Sequence, residues 1–127
     1  MKAHFILFVA DQLRSTEFYS SVLGRAPSLD VPGMTEFTIS ESAILGLMPE
    51  GGIVRLLGDK IQDPAFGRET PRCEVYLVVD DPLKFHRRAL AAGARELSSF
   101  SSRDWGHNAA YSTDLDGHIL AFACPAV

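Results

Sequence analysis

One pattern occurs twice in this chain, and it limits the fold more than any other feature. The first copy is His4-Phe5-Ile6-Leu7-Phe8-Val9-Ala10-Asp11, followed by a helix-like stretch that stops at Gly24. The second is Glu74-Val75-Tyr76-Leu77-Val78-Val79-Asp80-Asp81, followed by a helix-like stretch that stops at Gly93. In each copy a residue able to bind a metal stands seven positions before an Asp suited to cap the next helix. A duplicated strand–helix unit predicts a pseudo-symmetric sheet in which matching positions of the two copies play matching parts.

At 127 residues the chain can hold one domain with a real core. Hydrophobic residues make up 46% and charged residues 22%, the balance of a globular protein. A formal net charge of -4 with no basic stripe argues against nucleic acid as a partner. No apolar run reaches the roughly 20 residues that a membrane helix needs, so no membrane partner is expected. The chain passes from Met1 straight into a strand, without the three regions of a signal peptide, and a cytoplasmic location is expected. Cys73 and Cys124 do not form a disulfide framework and read as two small buried thiols.

The elements follow from periodicity and punctuation. His4–Val9 reads as a strand. A helix then starts at the cap Asp11, carries Leu13, Phe18, Tyr19, Val22 and Leu23 at helical spacing, and ends at Gly24. A strand near Ser28–Val31 meets the turn Pro32-Gly33, after which Met34–Ser40 and Ser42–Met48 form a hairpin. The stretch 50–71 is a linker with one short helical turn at Ile53–Leu57. In the second copy Cys73–Val79 is a strand, and Asp81-Pro82 opens a helix with proline at the favoured first position. Arg95–Ser98 is a short strand and Ser99–Trp105 a loop; His107–Thr113 then pairs with Gly117–Ala123 through a turn at Asp114-Leu115-Asp116-Gly117. The expected fold is α+β: one domain over 1–127, with module 1 at about 1–49, linker 50–71 and module 2 at about 72–127. Each module is β-α-β-β-β, and together they form a cupped mixed sheet with the helices on its outer face.

Strand parity sorts the residues further. Phe5, Leu7 and Val9, with Val75, Leu77 and Val79, should pack beneath helices, as should Leu45, Leu47, Leu120 and Phe122. The other face carries His4, Ile6, Phe8, Glu74, Tyr76, Val78, Ile44, Gly46, Met48, Ala121 and Ala123, a mixture suited to a cleft. Phe37, Met48, Tyr76 and Tyr111 are candidate walls, although core packing explains Phe37 and Tyr111 equally well. Trp105, the single tryptophan, offers a flat surface to an aromatic or cationic ligand, or else plugs the sheet edge. Arg103 and Asp104 read as a local salt bridge, and His118 as a solvated strand end.

The segments His4–Asp11, Phe18–Gly24 and Asp114–Ala121, in this order and spacing, resemble the vicinal oxygen chelate superfamily of glyoxalases, extradiol dioxygenases and bleomycin resistance proteins. That resemblance implies metal ligands on the first and last strand of each module. His4 and Glu74 fill the first-strand positions; the last-strand positions fall at or beside Gly46 and at Ala121, which have no ligating side chain. Two readings follow. One is a small-molecule binding protein that holds an organic ligand over a degenerate metal site, with no cofactor beyond a weakly held divalent metal. The other is a metal-dependent lyase or dioxygenase resembling lactoylglutathione lyase, with His4 and Glu74 as metal ligands. Without a metal, His4 and Glu74 are the candidate catalytic pair for proton transfer. Related proteins commonly dimerise, and a homodimer is expected.

Overall fold

In a computed structural model describing residues 1–127, the chain forms eight strands and three α-helices. Contacts within the chain divide it into two units: Met1–Ser20 with Gly24–Gly67, and Ser21–Leu23 with Arg68–Val127. Each unit carries one four-stranded mixed sheet, so the expected α+β class and the doubled β-α-β-β-β order are both present. No helix is long and apolar enough to cross a membrane.

In the first unit β1 (Ala3–Val9), β2 (Leu29–Val31), β3 (Met34–Ser40) and β4 (Ala43–Pro49) lie in the order β1-β4-β3-β2. Strands β1 and β4 are parallel, and the other pairs are antiparallel. Helix α1 (Gln12–Leu23) starts where the Asp11 carboxylate accepts the Arg14 N–H, and ends at Gly24 with φ +67°. It covers the sheet face that carries Thr35 and Leu47, because the Thr16 and Thr35 hydroxyls are 2.9 Å apart and Thr35 registers with Leu47. Leu7, Val9, Leu45 and Leu47 are buried as their parity requires, whereas Phe5 on the same face is 63% exposed.

The second unit repeats the plan with β5 (Glu74–Val78), β6 (Arg95–Ser102), β7 (His107–Thr113) and β8 (Ile119–Pro125) in the order β5-β8-β7-β6. Helix α3 (Pro82–Ala91) has Asp81 as its cap, its carboxylate accepting the Lys84 N–H. Phe85 and His86 of α3 lean on Phe122, which confirms the helix-side placement of the even-numbered apolar residues of β8. His86 is buried, and its Nε2 lies 2.8 Å from the Glu96 carboxylate on β6.

Four local expectations are corrected. The single helical turn in 53–57 is a full helix, α2 (Glu50–Leu57), followed by short 3-10 turns at Gly58–Lys60 and Pro64–Gly67. The serine-rich stretch after Ser98 is not loop: β6 runs to Ser102, and register shifts on either side of Ser98 let it follow β7. Cys73 and Cys124 are free, but Cys73 is exposed and Cys124 half-buried, since Cys73 stands just ahead of β5. His118 is not a solvated strand end but is buried in the β7–β8 turn. There Asp114 Oδ1 accepts the N–H groups of Asp116 and His118, and Oδ2 lies 2.8 Å from His118 Nδ1.

That turn is clamped from outside. Gly117 has φ +88°, and a Cβ added there would stand 2.8 Å from Glu69 Cα and 2.9 Å from Glu69 N. Both positive φ and rigid backbone therefore oppose any side chain at 117. Gly33 has φ +94° with open space around it. Gly117→Ala is expected to cost about 2 kcal/mol and to lower the melting temperature by roughly 8 °C, while Gly33→Ala costs about 1 kcal/mol. Thermal denaturation of the two variants side by side measures the difference, and equal losses would contradict the clamp.

Candidate functional site

Pairing in the second sheet aligns one residue from each strand. Tyr76 on β5 registers with Ala121 on β8, Ala121 with Tyr111 on β7, and Tyr111 with Ser98 on β6. Cross-strand partners share a face, and this row lies opposite the one on which Phe122 meets α3. Glu74 and His107 have the parity of Tyr76 and Tyr111 and join them there. Buried Ala109, Ala121 and Ala123 form a low floor between them.

The second unit also holds an open cleft of about 490 Å³, lined by Pro71, Arg72, Cys73, Glu74, Leu97, Ser98, Tyr111 and Ile119. Glu74 is exposed and its carboxylate has no partner. The two arginines near it are engaged. Arg72 Nη2 donates to the Asp116 carbonyl at 2.9 Å. Arg103 donates to the carbonyls of Ala109 and Ser99 and to Ser98 Oγ, with its guanidinium 5.1 Å from the Tyr111 ring centre. The expected Arg103–Asp104 salt bridge is therefore replaced by contacts that pin the β6–β7 end. Partial burial first, and then the Glu74 and Tyr76 groups, raise the Tyr111 pKa above the usual phenol value, against the opposing pull of Arg103. The Cys73 thiol is likewise raised by partial burial and by Asp114, against Arg72, so it stays protonated and is a poor nucleophile.

Beside the cleft, Tyr76 is held from two sides. The Trp105 indole Nε1–H donates to its hydroxyl oxygen at 3.0 Å, and the hydroxyl lies 2.5 Å from His107 Nδ1. An indole N–H can only donate. The hydroxyl and His107 Nδ1 share one hydrogen bond, whose donor is set by the His107 tautomer. The Tyr76 and His107 rings stack at 5.7 Å.

The candidates chosen from the sequence thus separate. Glu74 and Tyr111 line the cleft, with Tyr76 and Trp105 beside them. In the first unit, Phe37 registers with Leu45 and is fully buried on the α1 side, so core packing accounts for it and it walls no cleft. Met48 lies against α2, its Cε 3.0 Å from where a Cβ on Gly52 would stand. His4 Nδ1 is 3.4 Å from the Glu36 carboxylate of β3, a partner that sequence reasoning missed. The lining residues Pro71, Arg72, Cys73, Leu97, Ser98 and Ile119 were missed as well. For Ser98 the needed signal is the β6–β7 register, which strand periodicity alone does not carry.

The four-position metal site implied by the resemblance does not fit these residues. The space at Gly46 is occupied, because a Cβ there would meet Ile6 Cγ1 at 3.1 Å and Met34 Sδ at 3.4 Å. Ala121 is completely buried and offers no donor. A different group has metal-binding side chains at suitable spacing: Asp114, Asp116 and His118 bring one potential ligand atom each within 4.8 Å of one another, all buried. Asp114, however, is already engaged by two turn N–H groups and by His118.

The charge of Glu74 makes Tyr111 harder to ionise, so Glu74→Gln is expected to lower the Tyr111 pKa. Tyrosinate absorbance in an alkaline titration, with Tyr111→Phe subtracted, measures this; an unchanged or higher midpoint would place Glu74 out of electrostatic reach.

Comparison with solved structures gives close matches in fold. A glyoxalase-related enzyme from Fulvimarina pelagi is 21% identical with a TM-score of 0.81, the match covering 98% of this chain and 87% of that one. A glyoxalase/bleomycin resistance protein/dioxygenase from Nocardioides is 20% identical with a TM-score of 0.76, over 99% and 83%. A glyoxalase/bleomycin resistance protein/dioxygenase family enzyme from Burkholderia phytofirmans PsJN is 16% identical with a TM-score of 0.77, over 96% of each chain. At these identities the similarity speaks for the fold alone. No curated protein matches the chain. The sequence pattern of one family spans residues 3–122, nearly the whole molecule. This chain belongs to the Glyoxalase/Bleomycin resistance protein/Dioxygenase superfamily.

Proposed function

We propose that this protein binds a small organic molecule in the cleft of its second unit, without family-type metal chemistry. The observation that carries this reading is the cleft itself. Its volume of about 490 Å³ falls in the usual range for ligand pockets, roughly 300–1,000 Å³. Leu97, Ile119 and Pro71 supply apolar surface, Tyr111 a flat ring, and Glu74 a single unpartnered charge. That is the make-up of a recognition site. The Cys73 thiol, raised by partial burial and by Asp114, is disfavoured as a thiolate nucleophile. The metal positions implied by the resemblance are blocked at Gly46 by packing and lack a donor at Ala121.

A second reading, a metal-dependent lyase or dioxygenase, has one observation in its favour: the Asp114–Asp116–His118 group. In this structure that group braces the β7–β8 turn, and Asp114 would have to release turn N–H groups to face an ion.

Elemental analysis of purified protein, combined with a ligand screen, separates the two readings. The binding reading expects a one-to-one organic ligand whose affinity survives chelator treatment and falls about tenfold, roughly 1.4 kcal/mol, in Tyr111→Ala. A stoichiometric ion that is lost in His118→Ala, together with lyase or dioxygenase turnover that chelation abolishes, would overturn it.

A further inference from the structure

The cleft also carries information about the charge of its ligand, provided that it is the binding site proposed above. We propose that it takes a small organic cation, an amine or amidine on an aromatic or apolar body, with Glu74 as its counter-ion and Tyr111 as the surface on which the body rests.

The charged groups around the cleft divide by availability. Arg72 and Arg103 are the nearby cations, and their guanidinium groups are turned onto backbone carbonyls at 2.8–3.0 Å and onto Ser98 Oγ. An anionic ligand would have to compete with these contacts. Glu74 has no such engagement and lies exposed at the cleft wall. A cation that reaches it gains a charge-assisted hydrogen bond without breaking one.

The field inside the cleft is consistent with this. Its two weak acids, Cys73 and Tyr111, both resist ionisation. Burial is the largest cause in each case, with the Asp114 carboxylate acting on Cys73 and Glu74 on Tyr111. Burial disfavours either charge, so only the carboxylate share of these shifts favours a cation. The Arg103 guanidinium already lies 5.1 Å from the Tyr111 ring centre, so the ring serves as a surface for the ligand's apolar body.

Isothermal titration with benzamidinium and with benzoate, two ligands of nearly equal shape and opposite charge, tests the inference. The expected result is benzamidinium binding at least about tenfold tighter than benzoate to the unaltered protein, with added salt reducing the difference. Glu74→Gln, a change at an exposed position that leaves the fold intact, should abolish the preference. Tyr111→Leu should weaken benzamidinium about threefold. Benzoate binding as tightly as benzamidinium, or a preference that survives Glu74→Gln, would overturn the proposal. Binding of neutral ligands alone would also overturn it while leaving the binding function standing. Absence of binding by every ligand class, charged or neutral, would remove both.

Discussion

Parallel pairing of the first and last strand in each module is the constraint from which the rest of the structure follows. Strands β1 and β4, and β5 and β8, run side by side in the same direction. A chain cannot reach a parallel neighbour by a tight turn, so it must cross over, and here the crossover includes a helix. That helix must bury its apolar stripe on the sheet it spans. One sheet face is therefore committed to packing: Phe122 against Phe85 in the second unit, Thr35 and Leu47 beneath α1 in the first. The opposite face is released from that duty and can carry polar and small residues at little cost to the core.

In the second unit this freed face becomes chemically distinctive through register. Tyr76, Ala121, Tyr111 and Ser98 come from four strands and fall into one row because each strand pair is aligned as it is. Alanine in the middle of the row keeps the floor low, and aromatic and carboxylate groups rise on its sides. The charged groups around the cleft differ in how they are held. Arg72 and Arg103 pin the backbone near the cleft through their hydrogen bonds, while the Glu74 carboxylate lies exposed at its wall.

The β7–β8 turn shows how one group of side chains invites two readings. Asp114, Asp116 and His118 have the types and spacing of a metal site. Their hydrogen bonds are those of a turn lock: one carboxylate gathers two N–H groups and a histidine, while Glu69 and Arg72 close over the loop, Arg72 bonding the Asp116 carbonyl. A buried carboxylate needs such partners whether or not an ion is near. Ligand type alone does not distinguish the two readings.

Much of the fold was legible in the sequence. The repeated apolar strand, the caps at Asp11 and Asp81, the stop at Gly24 and the parity of Leu45, Leu47, Leu120 and Phe122 are local signals, and local backbone and hydrophobic preferences decide such features. Glu74, Tyr76, Trp105 and Tyr111 could be nominated from parity and residue type. The contacts that give them meaning could not. His118 looked solvated because nothing in its neighbours' spacing shows that Asp114 folds back over it, and the serines of β6 looked like loop because their strand character comes from pairing with β7. Phe37 and Tyr111 had the same ambiguity in the sequence; the register of β3 with β4 sent one to the core, and that of β7 with β8 left the other at the cleft. By itself the sequence determined most of the elements and their apolar faces, the extents of α2 and β6 excepted, since these depend on residues a few positions apart. Tertiary structure alone decided which side chains meet, which arginines are engaged and which carboxylate is left available, because those outcomes depend on strand register between residues far apart in the chain.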